Sequence, residues 1–419
     1  MHDNVTTILI AASIAALLFL IVVLLIASVV RRASNDRKHR KLDVLRREYR
    51  ERARKLLGKD LTGGEEVAFS ATPGSLAWGA VEEVLLDIMN SDAGRDGLKA
   101  LFHRLGYVTF YENRLASRNP LIKASAIDKL GRMGTSSCLR KLLPKLDETE
   151  PEILTLTVRA ISRIGAKDGL VAIVERLPVL LGRGLVTRKA METALLTFGV
   201  DAIDCLTEYQ TRDTDPWIMS CVLETLSHLP PDTRSFNMAT EHLHSQNPEV
   251  RSKALKVLGS VEPPFPANMA GLVLPLLDDP VWFVRLQAVK SAKKLDGDTA
   301  AGPVGKRLFD NNWRVRDEAA RCLTQFGTCA IDVFLDALMT EDIYAKESIC
   351  EEIEKSRFSD RLIERLDSEN EALRTKSYEI LRIMHSLRFS TPLMEFLGAG
   401  GNDRIKVEIE KILAAGAER

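Results

Sequence analysis

The chain has 419 residues, 28% of them charged, with equal numbers of basic and acidic side chains and a formal net charge of zero. The charge is unevenly spread, because residues 31–60 hold 13 Lys and Arg against 5 Asp and Glu, whereas residues 61–419 sum to −7. The acidic larger part argues against a general nucleic-acid binder, so no nucleic-acid partner is expected. Its length suits two or three ordinary domains or one long repeat array.

The N-terminal apolar run covers residues 8–30 and contains neither a charge nor a proline. As a helix it would extend about 35 Å, enough to cross a hydrocarbon core about 30 Å thick. The rival interpretation is a cleaved signal peptide, which normally has a basic start and a shorter apolar run. The run therefore predicts a single transmembrane helix, preceded by a short extracytoplasmic segment at residues 1–7.

A cluster of basic residues follows this run and predicts its orientation. The cluster comprises Arg31, Arg32, Arg37, Lys38, Arg40 and Lys41. Since cytoplasmic flanks carry the Lys/Arg excess, we expect a single-pass protein of the cell (inner) membrane with its N-terminus outside. The same residues would attract anionic lipid. Six cysteines without a CxxC pair fit a reducing compartment.

Residues 31–60 form the predicted juxtamembrane basic helix, in which apolar residues of the 42–57 stretch recur at helical spacing. This helix could continue the membrane helix, lie on the membrane surface or form a short coiled coil. Residues 61–118 are predicted to be a linker, containing Gly63 and Gly64, followed by an N-terminal helical cap.

From residue 119 onward two markers recur with one period. Glycine ends a helical pattern at Gly131, Gly165, Gly199, Gly259 and Gly327. Asn or Asp stands four residues before a basic residue, or in phase with that pattern, at Asn119, Asp215, Asn247, Asn312, Asp342, Asn370 and Asn402. The second marker is typical of helix N-caps. Two markers in one phase predict an α-solenoid of stacked helix pairs over residues 119–419.

Three segments carry a family resemblance: residues 247–259, 279–295 and 311–327. Each has Asp or Asn, then Val-Arg, then Ala at helical spacing, and they resemble HEAT repeats, in particular the short HEAT-like repeats of phycobilisome lyases. The predicted fold class is thus all-α, with one N-terminal transmembrane helix followed by a HEAT-like solenoid. The resemblance says little about activity, because this repeat hosts unrelated functions.

Two sets of repeated residues are candidate sites. Arg251, Arg285, Arg316 and Arg374 follow the repeat period, and we favour a structural ladder to neighbouring repeats over binding of an anionic partner. Trp217, Trp282 and Trp313 each lie near a repeat start, where we favour packing between repeats over a partner-binding surface.

No catalytic motif, metal-ligand cluster or cofactor site is apparent, so we predict a non-enzymatic protein without cofactor or metal. The leading hypothesis is a membrane-tethered cytoplasmic scaffold that binds protein partners, and its narrower form is an accessory to a bacterial envelope, transport or polysaccharide-synthesis complex. The alternatives are a bilin lyase, a HEAT-like DNA glycosylase, a lipid-surface sensor using residues 31–60, and self-association into a homo-oligomer.

Overall fold

The computed structural model describes residues 2–56, 66–89, 95–209, 215–260, 268–400 and 402–416, and these form helices and turns without a strand. Two compact units divide the chain, Met1–Gly169 and Leu170–Arg419. The predicted start of the repeats at residue 119 falls inside the first unit. The predicted linker at residues 61–69 lies outside the described residues as far as residue 65, and residues 66–69 form a short helix.

The helices before the unit boundary are α1 (His2–Leu56), α2 (Glu66–Phe69), α3 (Leu76–Met89), α4 (Arg95–Arg104), α5 (Tyr107–Arg114), α6 (Pro120–Met133), α7 (Ser136–Leu142) and α8 (Pro151–Ile164), with a 3-10 helix at Leu143–Asp147. α9 (Lys167–Glu175) contains the boundary.

The helices beyond it are α10 (Leu177–Leu180), α11 (Arg188–Leu196), α12 (Asp201–Tyr209), α13 (Pro216–Leu226), α14 (Thr233–His242), α15 (Pro248–Ser260), α16 (Met269–Val273), α17 (Trp282–Ala292), α18 (Gly297–Gly305), α19 (Trp313–Gln325), α20 (Cys329–Leu338), α21 (Ile343–Lys355), α22 (Phe358–Glu364), α23 (Glu371–Ser386), α24 (Thr391–Gly398) and α25 (Asp403–Gly416). Short 3-10 helices occupy Leu274–Asp278, Lys306–Phe309 and Arg365–Asp367.

In the second unit the first helices of successive repeats pack side by side. α11, α13, α15, α17, α19 and α21 contact one another in that order, and α23 packs on α25. The second helices form a parallel row where α12 meets α14 and α18 meets α20. Each helix buries an apolar face against its neighbours, as α19 does with Val315, Ala319 and Leu323. Such stacking of helix pairs is the predicted repeat architecture.

All seven predicted N-cap residues have side-chain oxygens that accept a backbone N–H of the first helical turn. The acceptors are Asn119, Asp215, Asn247, Asn312, Asp342, Asn370 and Asn402. Each satisfies one of the N–H groups that a helix start leaves without an intrahelical partner. The repeat starts are thus fixed by local chemistry, as the sequence predicted.

The predicted glycine markers separate into two kinds. Gly165, Gly199 and Gly327 have left-handed backbones with φ of 72°, 60° and 65° and lie where helices end. Gly131 and Gly259 instead lie inside α6 and α15, so their prediction as helix ends is wrong. A Cβ at Gly131 would stand 2.5 Å from Cα of Ala160 in α8, and one at Gly259 would stand 2.9 Å from Oγ of Ser291. These two glycines permit close packing of adjacent repeats.

The structure corrects the predicted membrane span at residues 8–30. Among the residues it describes, no helix combines the length and apolar character needed to cross a bilayer. Residues 8–30 belong to α1, and the side chains of residues 8–20 lie outside the described part. The fold class with a transmembrane helix, and the single-pass membrane location, are therefore wrong.

The C-terminal half of α1 packs along α3. Tyr49 and Ala53 are buried there, and Nε of Arg46 donates to a carboxylate oxygen of Glu83 at 2.7 Å. This part of α1 is amphipathic, as the spacing of its apolar residues predicted. Its buried face serves packing within the first unit.

Candidate protein-interaction surface

Two of the repeated arginines join adjacent repeats by the same set of hydrogen bonds. Nε and Nη2 of Arg251 donate to the carboxylate of Asp279 at 2.8 and 2.9 Å, and Nη1 donates to the carbonyl oxygen of Ser245. Nε and Nη2 of Arg285 donate to Asp310, both at 2.7 Å, while Nη1 donates to the carbonyl oxygen of Asp279. Two parallel hydrogen bonds between guanidinium and carboxylate are the strong form of this pair.

The carboxylates of these pairs are almost fully buried, with 4% of the Asp279 side chain and 2% of the Asp310 side chain exposed. Burial alone would raise the pKa of Asp310, but the hydrogen bonds from Arg285 and from the backbone N–H of Asn312, together with the charges of Arg285 and Arg307, hold that pKa below its usual range. An open cleft of about 310 Å³ lies beside this pair, and Arg307 in its wall is itself paired with Asp278 at 2.8 Å. Arginines whose charges are already paired have little capacity to bind an external anion.

The other two repeated arginines have no such carboxylate. Arg316 donates from Nη1 to the carbonyl oxygen of Asp310 at 2.8 Å, and its buried Nε finds no acceptor among the described residues. Arg374 is exposed and donates from Nη1 to the carbonyl oxygen of Ser368 at 3.0 Å. All four arginines thus donate to a backbone carbonyl of an earlier residue in their own repeat. Two of them also donate to a carboxylate of the next repeat.

Two of the three candidate tryptophans are brought together by one arginine. The guanidinium carbon of Arg314 lies 5.5 Å from the ring centroid of Trp282 and 5.4 Å from that of Trp313. Trp282 is half-buried beside Phe283, whereas 58% of Trp313 is exposed. The starts of α17 and α19 therefore present a joined aromatic and cationic surface.

The third tryptophan, Trp217, lies at the start of α13, where the guanidinium of Arg188 covers its ring at 3.7 Å from the centroid. Its exposed fraction is still 53%. This close cation–π contact within the second unit gives Trp217 a structural role that does not involve Trp282 or Trp313.

The next repeat has two exposed apolar residues that were not predicted from the sequence. Ile343 and Tyr344 begin α21 and are 62% and 70% exposed, and the Tyr344 ring centroid lies 5.7 Å from the guanidinium carbon of Arg316. The signal was available, because Ile343 stands three residues before Lys346 just as Trp313 stands three before Arg316. We call Trp282, Trp313, Arg314, Ile343 and Tyr344 together the aromatic rim.

The predicted basic cluster lies on the exposed surface of α1. It consists of Arg31, Arg32, Arg37, Lys38, Arg40 and Lys41. Lys38 lines an open cleft of about 600 Å³ between α1, α3 and α6, whose wall also holds the paired charges Lys129 and Glu82, 3.3 Å apart. Binding of anionic lipid by this cluster stays a prediction. Within the described part of the chain, no group of three or more His, Cys, Asp or Glu is arranged to hold a metal.

One comparison with known proteins agrees with the repeat architecture. The family model for HEAT repeats matches residues 236–324, the segment that contains the Arg251 and Arg285 pairs and the first half of the aromatic rim. Residues 236–324 therefore carry HEAT repeats. No curated protein sequence matches it.

Among solved structures, the HEAT-repeat chain is similar to an engineered protein at 16% identity and a TM-score of 0.37, covering 74% of this chain and 99% of that one. It is also similar to a mutant of Kap121p at 13% identity and a TM-score of 0.45, covering 85% of this chain but only 45% of that one. Both likenesses are too distant to assign a function to the HEAT repeats described here.

Proposed function

We propose that this HEAT-repeat chain is a protein-interaction scaffold that binds an extended segment of a partner protein along the aromatic rim. The observation that supports it most is the exposure of Trp313, beside Arg314, and of Ile343 and Tyr344 at the start of the next repeat. Exposed apolar side chains that form a contiguous patch, unlike scattered ones, are typical of binding surfaces. Trp, Tyr and Arg are the residues most enriched in binding hot spots.

The rim is held in place before any partner arrives. Its residues occupy the first turns of α17, α19 and α21, and the N-caps Asn312 and Asp342 fix two of those turns. The pair of Arg285 and Asp310 links the repeats beneath it. A rigid surface loses little conformational entropy on binding, which favours affinity.

Selection from a displayed library of random peptides tests this proposal. We expect the wild type to enrich related sequences that the Trp313→Ser, Tyr344→Ser double variant does not bind. The matched control is Leu121→Ser, which removes an apolar side chain that is 78% exposed in the first turn of α6, on the other unit. Both variants must retain wild-type circular dichroism and melting temperature. Equal enrichment by the wild type and the double variant would overturn the proposal.

A further inference from the structure

The arginine pairs follow a positional rule that can be applied along the repeats. Each arginine donates from Nη1 to the carbonyl oxygen of the residue six positions before it, as Arg251 does to Ser245 and Arg285 to Asp279. The side chain that occupies this position in the next repeat is the carboxylate that receives Nε and Nη2. The rule thus identifies the residue that each arginine needs as its forward partner.

For Arg316 this position is occupied by Thr340, which stands six residues before Lys346. The Thr340 hydroxyl donates to the carbonyl oxygen of Ala337 at 2.7 Å and carries no charge. Arg316 nonetheless makes the backward bond that the rule requires, from Nη1 to Asp310 at 2.8 Å. The guanidinium is therefore oriented as in a complete pair, but its carboxylate is missing.

A buried donor without an acceptor is costly, and more so when the group is charged. Nε of Arg316 is such a donor among the described residues. Arg374 also lacks a forward carboxylate, since Gly400 occupies the corresponding position, but its side chain is exposed and water can solvate it. Arg316 is thus the arginine in this series for which an added carboxylate gains most.

Two acidic residues, Glu341 and Asp342, directly follow Thr340 in the sequence. The carboxylate of Asp342 accepts the backbone N–H of Ala345 at 3.0 Å and caps α21, so it is already engaged. Glu341 is exposed and forms no ion pair with Arg316 in the structure. It is the internal competitor that an experiment has to remove.

We propose that Arg316 binds a side-chain carboxylate, from Asp or Glu, of the partner segment that lies along the aromatic rim. The proposal rests on the proposed function, and it adds the chemistry by which the partner is recognised. The Tyr344 ring centroid lies 5.7 Å from the guanidinium carbon of Arg316, so a segment that contacts Tyr344 lies beside Arg316. An acidic residue flanked by apolar ones matches this order of side chains.

The test uses a rim-dependent peptide from the library selection, synthesised with an amidated C-terminus so that only side chains carry carboxylates. Its affinity for the full chain is measured by fluorescence anisotropy, together with a version in which Glu and Asp are replaced by Gln and Asn. We expect the acidic peptide to bind roughly tenfold more tightly than the amide version. Arg316→Gln should abolish that difference, and Glu341→Gln should preserve it.

Thr340→Asp supplies the missing carboxylate from within the chain. We expect it to raise the melting temperature and to weaken the acidic peptide by roughly tenfold, leaving the amide version unchanged. Ser368→Asp is the matched control, because it adds the same charge at the equivalent position one repeat later, opposite Lys346. Rim-dependent peptides without an acidic residue, or acidic peptides insensitive to Thr340→Asp, would overturn this inference and leave the proposed function standing. If no peptide depends on the rim, the proposed function itself fails.

Discussion

The guanidinium of Arg285 and the carboxylate of Asp310, on adjacent repeats, form two hydrogen bonds of 2.7 Å each. The backbone carbonyl of Asp310 then accepts Nη1 of Arg316 in the following contact. A single aspartate therefore bonds to the repeat before it through its side chain and to its own repeat through its main chain. Neighbouring HEAT repeats are coupled by polar geometry as well as by apolar packing.

Removing one member of this pair should be costly. Because Asp310 is buried, Asp310→Ala leaves the Arg285 cation without its partner, and we expect a loss of about 3 kcal/mol in the free energy of unfolding. Urea denaturation followed by circular dichroism measures it. Arg374→Ala, at an exposed arginine with one backbone bond, should cost less than about 1 kcal/mol. Equal losses in the two variants would show that the pair is not a structural link.

Gly131 and Gly79 offer a matched pair of helix-interior glycines in the first unit. Gly131→Ala places a methyl group 2.5 Å from Cα of Ala160, so α6 and α8 must separate, and we expect a loss of about 1–3 kcal/mol. Gly79 in α3 has no atom within 4 Å of an added Cβ, so Gly79→Ala should stabilise by about 0.5–1 kcal/mol. Thermal unfolding of both variants measures the change in stability. A change in the same direction for both variants would contradict the packing role of Gly131.

Acid should weaken the second unit through Glu224. Burial raises the pKa of this carboxyl. Lys256 at 2.6 Å and Lys253 at 3.1 Å lower it by more in total, so that it falls from an ordinary 4.5 to about 2. Nε2 of His228 lies 3.2 Å from the same carboxylate. The ionised form stabilises the fold above pH 4.5, and this contribution is lost as pH falls from 4.5 toward 2.

Melting temperatures measured across that acidic range test the role of Glu224. Glu224→Gln should melt lower than the wild type at neutral pH and approach it as the pH falls, because the wild-type advantage disappears on protonation. Glu369→Gln, at an exposed carboxylate, serves as the control and should follow the wild type throughout. A constant difference between Glu224→Gln and the wild type would exclude this coupling.

Trp217 should behave differently from the tryptophans of the aromatic rim. Its ring is covered by Arg188, so we expect Trp217→Ala to reduce stability by about 0.5–1 kcal/mol and to leave peptide binding unchanged. Trp313→Ala should show the opposite pattern, with weaker binding and nearly unchanged melting. Anisotropy titrations and melting curves of both variants provide the two readouts. Loss of peptide binding in Trp217→Ala would extend the binding surface beyond the rim.

Helix starts were predictable because an Asn or Asp side chain acts on its own first turn, as Asn312 does on α19. Helix ends were less predictable from the sequence. A glycine that ends a helix and a glycine that lets a neighbouring helix pack closely are the same residue type. Gly165 is of the first kind and Gly131 of the second, and only the position of Ala160 distinguishes them.

The candidate site was predictable in part. The period placed Trp282 and Trp313 at repeat starts, but exposure depends on packing between repeats, so Ile343 and Tyr344 passed as ordinary apolar residues. The sequence already shows that Thr340, and not an acidic residue, stands six residues before Lys346. Only the hydrogen bonds of Arg285 to Asp310 reveal that this position supplies the forward carboxylate.

The packing of α1 on α3 has a consequence for how copies of this chain meet. A row of stacked helices is open-ended, and an uncovered terminal face invites another molecule to continue the row into a filament. Here Tyr49 and Ala53 are buried where α1 packs on α3, while Arg47 and Glu51 on the same helix are exposed to water. A further helix could add to that surface of α3 only by displacing α1, whose outward side offers it charge in place of apolar contact.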